Sequence, residues 1–282
     1  MRKLIYAALL FRLLLACSSD SAIDQGDGGE GPGAQQPPEP TEIEIKIVAH
    51  RGAYKEFDLP GNSRASLSKA LEIGVDVVEC DVQLTKDERL IVYHDEQVLG
   101  KFIKDQTYDE LLEHSLGNGE KIPLLSEFLE ISVGEDHMLW LDIKSLSEGA
   151  GGNTQSIRTG ELAADLIREL NAEANVAYIV GRKAVLDKCI GAIRGDWEIA
   201  YMNTEYTPQQ FLGSGYVWAN FDYTKFHQNR AFMESYLDQG IKMSFYTIDD
   251  PSVMDWFLGQ EGVYGITTNE PALLVSKMKT KK

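Results

Sequence analysis

A (β/α)8 TIM barrel with a hairpin and a small insertion after its second strand is the fold this sequence predicts. Apolar strand-like runs occur at 46–50, 76–82, 138–144, 176–180, 197–202, 216–221, 242–247 and 263–267, and most are followed by a stretch of helical periodicity. The runs are rich in Val, Ile and Leu and nearly continuous, as strands covered on both faces should be. The stretch 43–282 is also close to the usual length of one such barrel.

The helical stretches follow in order. Ser63 can cap a helix that carries Ala65, Leu67, Ala70 and Leu71. Leu124, Leu125, Phe128 and Leu129 mark a second between Pro123 and Val133. Asn153 or Thr154 precedes Ile157, Leu162, Leu166, Ile167 and Leu170. Further stretches run over 182–193, 207–212, 229–239 and 251–258, and 271–278 closes the chain.

One run falls outside this alternation. Leu90-Ile91-Val92-Tyr93 follows the strand at 76–82 after only a few residues, through Thr85-Lys86-Asp87-Glu88. A parallel crossover needs a dozen residues or more, so the pair must be antiparallel. The segment 82–93 is therefore expected to rise above the second strand and fold back, which returns His94 to the level of the strand tip. An insertion over about 95–120, with a short helix near 107–113, precedes the next barrel helix.

Ahead of the barrel the composition changes twice. Arg2 and Lys3 open residues 1–16, and Leu4 to Ala16 is apolar apart from Arg12. That run is too short to span a bilayer and has the pattern of a secretory signal peptide. It ends Leu14-Leu15-Ala16-Cys17, similar to the bacterial lipobox, in which the cysteine becomes a lipidated first residue. Residues 17–42 are acidic and rich in Gly and Pro, and read as a flexible tether. The expectation is an exported lipoprotein, anchored on the periplasmic or cell-surface side of a bacterial membrane and touching that membrane only through its N-terminal lipid. The formal net charge of −17 argues against nucleic acid as a partner, and it becomes more negative once Arg2, Lys3 and Arg12 are removed. Cys80 and Cys189 are expected as buried thiols.

The candidate chemistry lies at the strand tips, where barrels of this kind carry their active sites. Glu79 and Asp81 are two apart on a strand and point to one face, while Cys80 points away. Two inward carboxylates repel unless something neutralises them, and a hard divalent cation with oxygen ligands does so. Asp142, on the next barrel strand, can supply a third carboxylate. His50 ends the first strand and His94 ends the hairpin, so one can accept a proton while the other donates one. Arg51 and Lys144 add positive charge at the same level, suited to a phosphate or to ion pairs with Glu79 or Asp142. Tyr201, Trp218 and Tyr246 are candidates either for a pocket wall or for the core. The loop 145–155, with Gly149, Gly151 and Gly152, reads as a mobile rim or a plain connection.

Taken together, His50-Arg51-Gly52, Pro60-Gly61-Asn62-Ser63, the run Glu79-Cys80-Asp81-Val82-Gln83-Leu84-Thr85-Lys86-Asp87 and His94-Asp95 closely resemble the glycerophosphodiester phosphodiesterase family. The resemblance continues through Leu141-Asp142-Ile143-Lys144, Tyr246-Thr247-Ile248-Asp249 and Gly265-Ile266-Thr267-Thr268-Asn269-Glu270-Pro271. It implies a phospholipase C-like phosphodiesterase barrel that uses a divalent metal, calcium or magnesium. Its substrate would be a small-molecule glycerophosphodiester, cleaved to sn-glycerol 3-phosphate and an alcohol. His50 and His94 would be the acid–base pair, and Glu79, Asp81 and Asp142 would hold the metal. Arg51 and Lys144 would grip the phosphate, and Tyr246 would form part of the substrate wall. The chain departs from the family pattern at Gly61 and Tyr246, where glutamate and tryptophan are usual, and at Asp142 and Asn269, where glutamate and aspartate are usual. Two alternatives are a related phospholipase C- or D-like enzyme for another lipid headgroup and a non-catalytic binding protein that keeps the fold.

Overall fold

The computed structural model describes residues 44–202, 206–212, 216 and 218–281. The segments expected as signal peptide (1–16) and tether (17–42), with Cys17, lie outside the described residues. Among the described residues, no helix is long and apolar enough to cross a membrane.

The chain begins with β1 (Lys46–Ala49), α1 (Arg64–Ile73), β2 (Val77–Leu84) and β3 (Leu90–Val92). The insertion contributes a two-stranded ribbon, β4 (Gln97–Val98) and β5 (Lys101–Phe102), and one turn of helix, α2 (Tyr108–Leu111). Regular alternation then resumes with α3 (Leu125–Ser132), β6 (Met138–Ile143), α4 (Gly152–Glu169), β7 (Val176–Val180), α5 (Lys183–Ile193) and β8 (Glu198–Tyr201). It continues through α6 (Pro208–Phe211), β9 (Trp218–Asp222), α7 (Arg230–Leu237), β10 (Lys242–Tyr246), α8 (Pro251–Leu258), β11 (Val263–Thr268) and α9 (Pro271–Lys281).

Eight of these strands pair in parallel in the order β1-β11-β10-β9-β8-β7-β6-β2, and β1 pairs again with β2 to close the ring. The closed eight-stranded parallel barrel is the fold expected from the sequence. The exceptional run is antiparallel, as its short connection requires: Val82 faces Val92 and Leu84 faces Leu90. The hairpin's return is completed by the Tyr93 N–H, which donates to the Asp81 carbonyl at 2.9 Å. His94 thus re-enters the rim beside the strand that carries the carboxylates.

Local chemistry sets the element ends. Ser63 caps α1 by accepting from the Ser66 N–H, and Gly74 stops the helix at φ 79°. Asp250 caps α8, with Pro251 in its first turn. The helix α4 starts at Gly152, ahead of the expected caps Asn153 and Thr154, after Gly151 in the left-handed region at φ 98°. The loop before it is tied down rather than free-standing. The Ser147 N–H and hydroxyl both donate to Glu96 of the insertion, at 2.6 and 2.5 Å. Gly149 lies so close to the Phe102 ring that a Cβ there would come within 2.8 Å of it.

The two faces of the barrel strands form separate apolar clusters. Cys80, Leu139, Leu141 and Tyr178 belong to the large cluster that includes Leu67, Phe128 and Ile167 of the surrounding helices. Val48, Val77, Trp140, Ala177, Ile179, Ala200, Trp218 and Tyr264 form the second, inside the ring. Trp140 and Trp218 lie 4.3 Å apart between centroids, and Tyr264 stacks on Trp140 at 6.1 Å. Lys242 and Lys46 lie over the Tyr264 ring, whose hydroxyl donates to Glu198. Trp218 is therefore core and not pocket wall. Tyr201 likewise belongs to the outer cluster, against Phe211, Tyr206 and Tyr216.

Gly265 makes room for the Trp140 ring: a Cβ there would stand 2.9 Å from the indole. Gly265→Ala is expected to cost about 1–3 kcal/mol through overpacking. Chemical denaturation checks this, and an unchanged midpoint would show that the indole moves aside freely.

Candidate active site

β1 ends in a turn that turns two side chains toward the second strand. The His50 N–H donates to the Thr268 carbonyl at 3.0 Å, which holds the histidine at the rim. Arg51 takes φ 52° and Gly52 φ 79°. Only glycine fits at 52, because a Cβ would fall 2.6 Å from the Ser66 backbone. This tight turn aims the Arg51 N–H at Glu79 Oε2, 2.9 Å away.

Glu79 and Asp81 share the inner face of β2, and the parallel register sets Asp81 directly beside Asp142 of β6. One carboxylate oxygen from each of the three lies within 4.8 Å of the others, and all three residues are buried. The cations expected nearby are present. Lys144 Nζ lies 2.9 Å from Asp81 Oδ1 and 3.2 Å from Asp142 Oδ2. Arg51 Nε lies 3.2 Å from Asp81 Oδ2, so the arginine pairs with Asp81 and not with Glu79 or Asp142.

The charges are unevenly matched, and the protonation preferences follow. Burial, then the charges of Asp81 and Asp142, push the Glu79 carboxyl well above the usual range. Asp142 is also raised, because burial and Asp81 outweigh Lys144. Asp81 goes the other way: burial opposes ionisation, but Lys144, Arg51 and Asn62 together hold it low. Asp142 Oδ1 is buried without a hydrogen-bond donor. Three buried carboxylates, one with an orphaned oxygen, match the oxygen donor set of a hard divalent cation.

Asn62 is a site residue that strand parity did not single out. It sits at φ 60° just before the α1 cap, nearly inaccessible to solvent. Its Nδ2 donates to Asp81 Oδ2 at 2.8 Å, and its Oδ1 accepts from the Asp81 N–H at 3.2 Å. Neighbouring Gly61 leaves open the space beside Arg51 and Tyr54, where a Cβ would make contacts of 3.3–3.4 Å.

The two histidines differ in setting. Burial, then the charge of Arg51, lowers the His50 imidazole to about 4, which leaves it neutral despite Glu79 Oε2 at 3.9 Å from its Nε2. Its Nδ1 is 2.7 Å from Asn269 Oδ1. His94 is more open, with 40% of its side chain exposed and Nδ1 2.8 Å from Asp95 Oδ1. Its backbone is gathered by Gln83, whose Nε2 donates to the carbonyls of Tyr93, His94 and Asp95. His94 lies within electrostatic range of His50, Asp81 and Asp142, so it belongs to the same mouth. Tyr246 ends β10 on the far side, where burial and the carboxylates of Asp222 and Asp142 push its phenol up to about 12.

Several known proteins are similar to this chain. A crystal structure of a glycerophosphodiester phosphodiesterase from Parabacteroides distasonis superposes with a TM-score of 0.77 at 28% identity, covering 86% of this chain and 99% of that one. A glycerophosphodiester phosphodiesterase of Caldanaerobacter subterraneus subsp. tengcongensis is 28% identical over 260 residues, 83% of this chain and 97% of its own. A shorter match, 38% identical over 112 residues, covers 36% of this chain and spans 45% of the length of the Bacillus subtilis protein YqiK. Residues 50–176, which hold His50, Glu79, Asp81, His94, Asp142 and Lys144, match the model of the glycerophosphoryl diester phosphodiesterase family.

Proposed function

We propose that the protein hydrolyses glycerophosphodiesters to sn-glycerol 3-phosphate and an alcohol, with a divalent cation, calcium or magnesium, held by Glu79, Asp81 and Asp142. The observation that carries this reading is the convergence of three buried carboxylates with His50, His94, Arg51 and Lys144 at one barrel mouth. When bound, the cation would supply Lewis-acid polarisation of a phosphoryl oxygen and neutralise the carboxylate cluster.

The chain's own groups divide the remaining work. Arg51 and Lys144 carry the positive charge that draws the phosphodiester to the rim. His50 is neutral and its Nε2 faces the cluster, so it takes the proton of the attacking hydroxyl. His94, on the more open side, returns a proton to the departing alkoxide. Tyr246 forms the wall opposite the carboxylates and meets the alcohol portion. The N-terminal pattern supports export and a lipid anchor at Cys17, with the tether carrying the barrel clear of the membrane.

A panel of glycerophosphodiesters and intact phospholipids, assayed with chelator and then with added calcium or magnesium, tests the reading. Release of sn-glycerol 3-phosphate from the deacylated substrates, lost on chelation and restored by metal, is the expected result. Turnover of intact phospholipid alone would move the substrate to another lipid class. Unchanged activity after exhaustive chelation would remove the cation from the mechanism.

A further inference from the structure

The ends of three adjacent strands carry a hydrogen-bond chain that runs away from the carboxylate cluster and stops on His50. Its far end is Asp249, three residues beyond β10. One carboxylate oxygen, Oδ1, accepts from the Asn269 N–H at 2.8 Å and from the Thr268 hydroxyl at 3.3 Å. The other, Oδ2, accepts from Asn269 Nδ2 at 2.8 Å and from Lys55 Nζ at 2.9 Å. Asp249 is ionised in this setting: burial works against it, but the donors from Asn269 and Lys55 hold its carboxyl below the usual range.

An amide has two ends, and this contact selects one of them. With Nδ2 bound to a carboxylate oxygen, Asn269 must present Oδ1 to His50; the reverse rotamer would set two acceptors against each other. Oδ1 can only accept, so the hydrogen of the neutral imidazole must lie on His50 Nδ1, 2.7 Å away. The lone pair is then on Nε2, the nitrogen that faces Glu79.

We propose that Asp249 is a positioning residue: by fixing the amide of Asn269, it locks His50 in the tautomer whose Nε2 can accept a proton at the site. The kinetic part of this inference rests on the proposed role of His50 in phosphodiester hydrolysis; the tautomer itself does not.

Two isosteric variants test it. In Asp249→Asn the new amide meets the Asn269 side chain and N–H with one donor too many. Asn269 relieves this by turning its Nδ2 toward His50, which moves the imidazole hydrogen to Nε2. In Asp249→Asn/Asn269→Asp the acid and amide are exchanged, and an acceptor again faces His50 Nδ1. The full chain, labelled with 15N-histidine, is read by long-range proton–nitrogen correlation at mildly alkaline pH, with His50→Gln assigning the signals. The expected result is a pyrrole-like Nδ1 in the wild type, a shift of that character to Nε2 in Asp249→Asn, and its return in the double variant. The single variant should also lose kcat on the order of a hundredfold with KM nearly unchanged, and the double variant should regain it. A wild-type ring protonated on Nε2, or an Asp249→Asn protein with wild-type nitrogen shifts and turnover, overturns the proposal. If the nitrogen signals switch as described but no glycerophosphodiester is cleaved by the wild type, the positioning stands and the substrate reading falls.

Discussion

Replacing His50 by alanine is expected to lower kcat for glycerophosphodiester cleavage by about 10²–10⁴-fold, the usual contribution of one positioned acid–base group. The residue sits where such a loss should be nearly pure chemistry. Its backbone stays anchored through Thr268, and the adjoining apolar core of Val48 and Ala49 is untouched. His94→Ala should produce a similar fall, because donor and acceptor serve the same bond exchange. The two losses should not add: once one proton transfer is gone, the other group has less left to accelerate. Steady-state kinetics of both single variants and the double variant decide this. Near-normal turnover in either single variant would remove that histidine from the acid–base pair.

Glu79→Gln is the second large effect, and it acts in opposite directions on folding and on function. Glu79 is the carboxyl that burial, Asp81 and Asp142 most disfavour as an anion. With its folded-state affinity for a proton raised, the folded protein holds a proton that the unfolded chain releases. Stability from this group therefore falls as pH rises above about 4.3, the ordinary glutamate value, and on through the raised folded value. Glutamine removes that penalty, so in chelator at neutral pH the variant should unfold at a higher temperature than the wild type. Calcium or magnesium should raise the unfolding midpoint of the wild type and leave Glu79→Gln almost unmoved. Thermal unfolding with and without each metal checks both halves. A variant still stabilised as strongly as wild type would mean that the cation is held elsewhere.

The sequence and the structure agree where short-range rules decide. Barrel strands appear within two residues of the expected runs because buried parallel strands demand unbroken apolar stretches, and Ser63, Gly74 and Pro251 punctuate helices by local chemistry. The inward pair Glu79 and Asp81 follows from strand parity alone, as does the opposite facing of Cys80, and both expected thiols, Cys80 and Cys189, are buried and free. Agreement ends where a side chain's partner is chosen by a turn or by a distant strand. Arg51 finds Asp81 because its own left-handed backbone swings it there, which no spacing rule encodes. Asn62 and Asn269 stood out only as pieces of a family pattern; their work depends on contacts 19 and 219 residues away. Trp218 and the 145–155 loop were ambiguous for the same reason. One is claimed by Trp140 across the barrel and the other by Glu96 of the insertion.

The aromatic stack of Trp140, Trp218 and Tyr264 has a consequence for traffic. It fills the lower barrel, and the bottom is closed by Lys46, Lys242 and Glu198 around the tyrosine. Among the described residues, the proposed site therefore opens only at the rim that carries the carboxylates. Both halves of a cleaved diester must leave through the opening by which the intact molecule arrived, past Arg51 and Lys144. If those two cations grip the phosphate as proposed, the half that keeps it departs last and stands in the path of the next substrate.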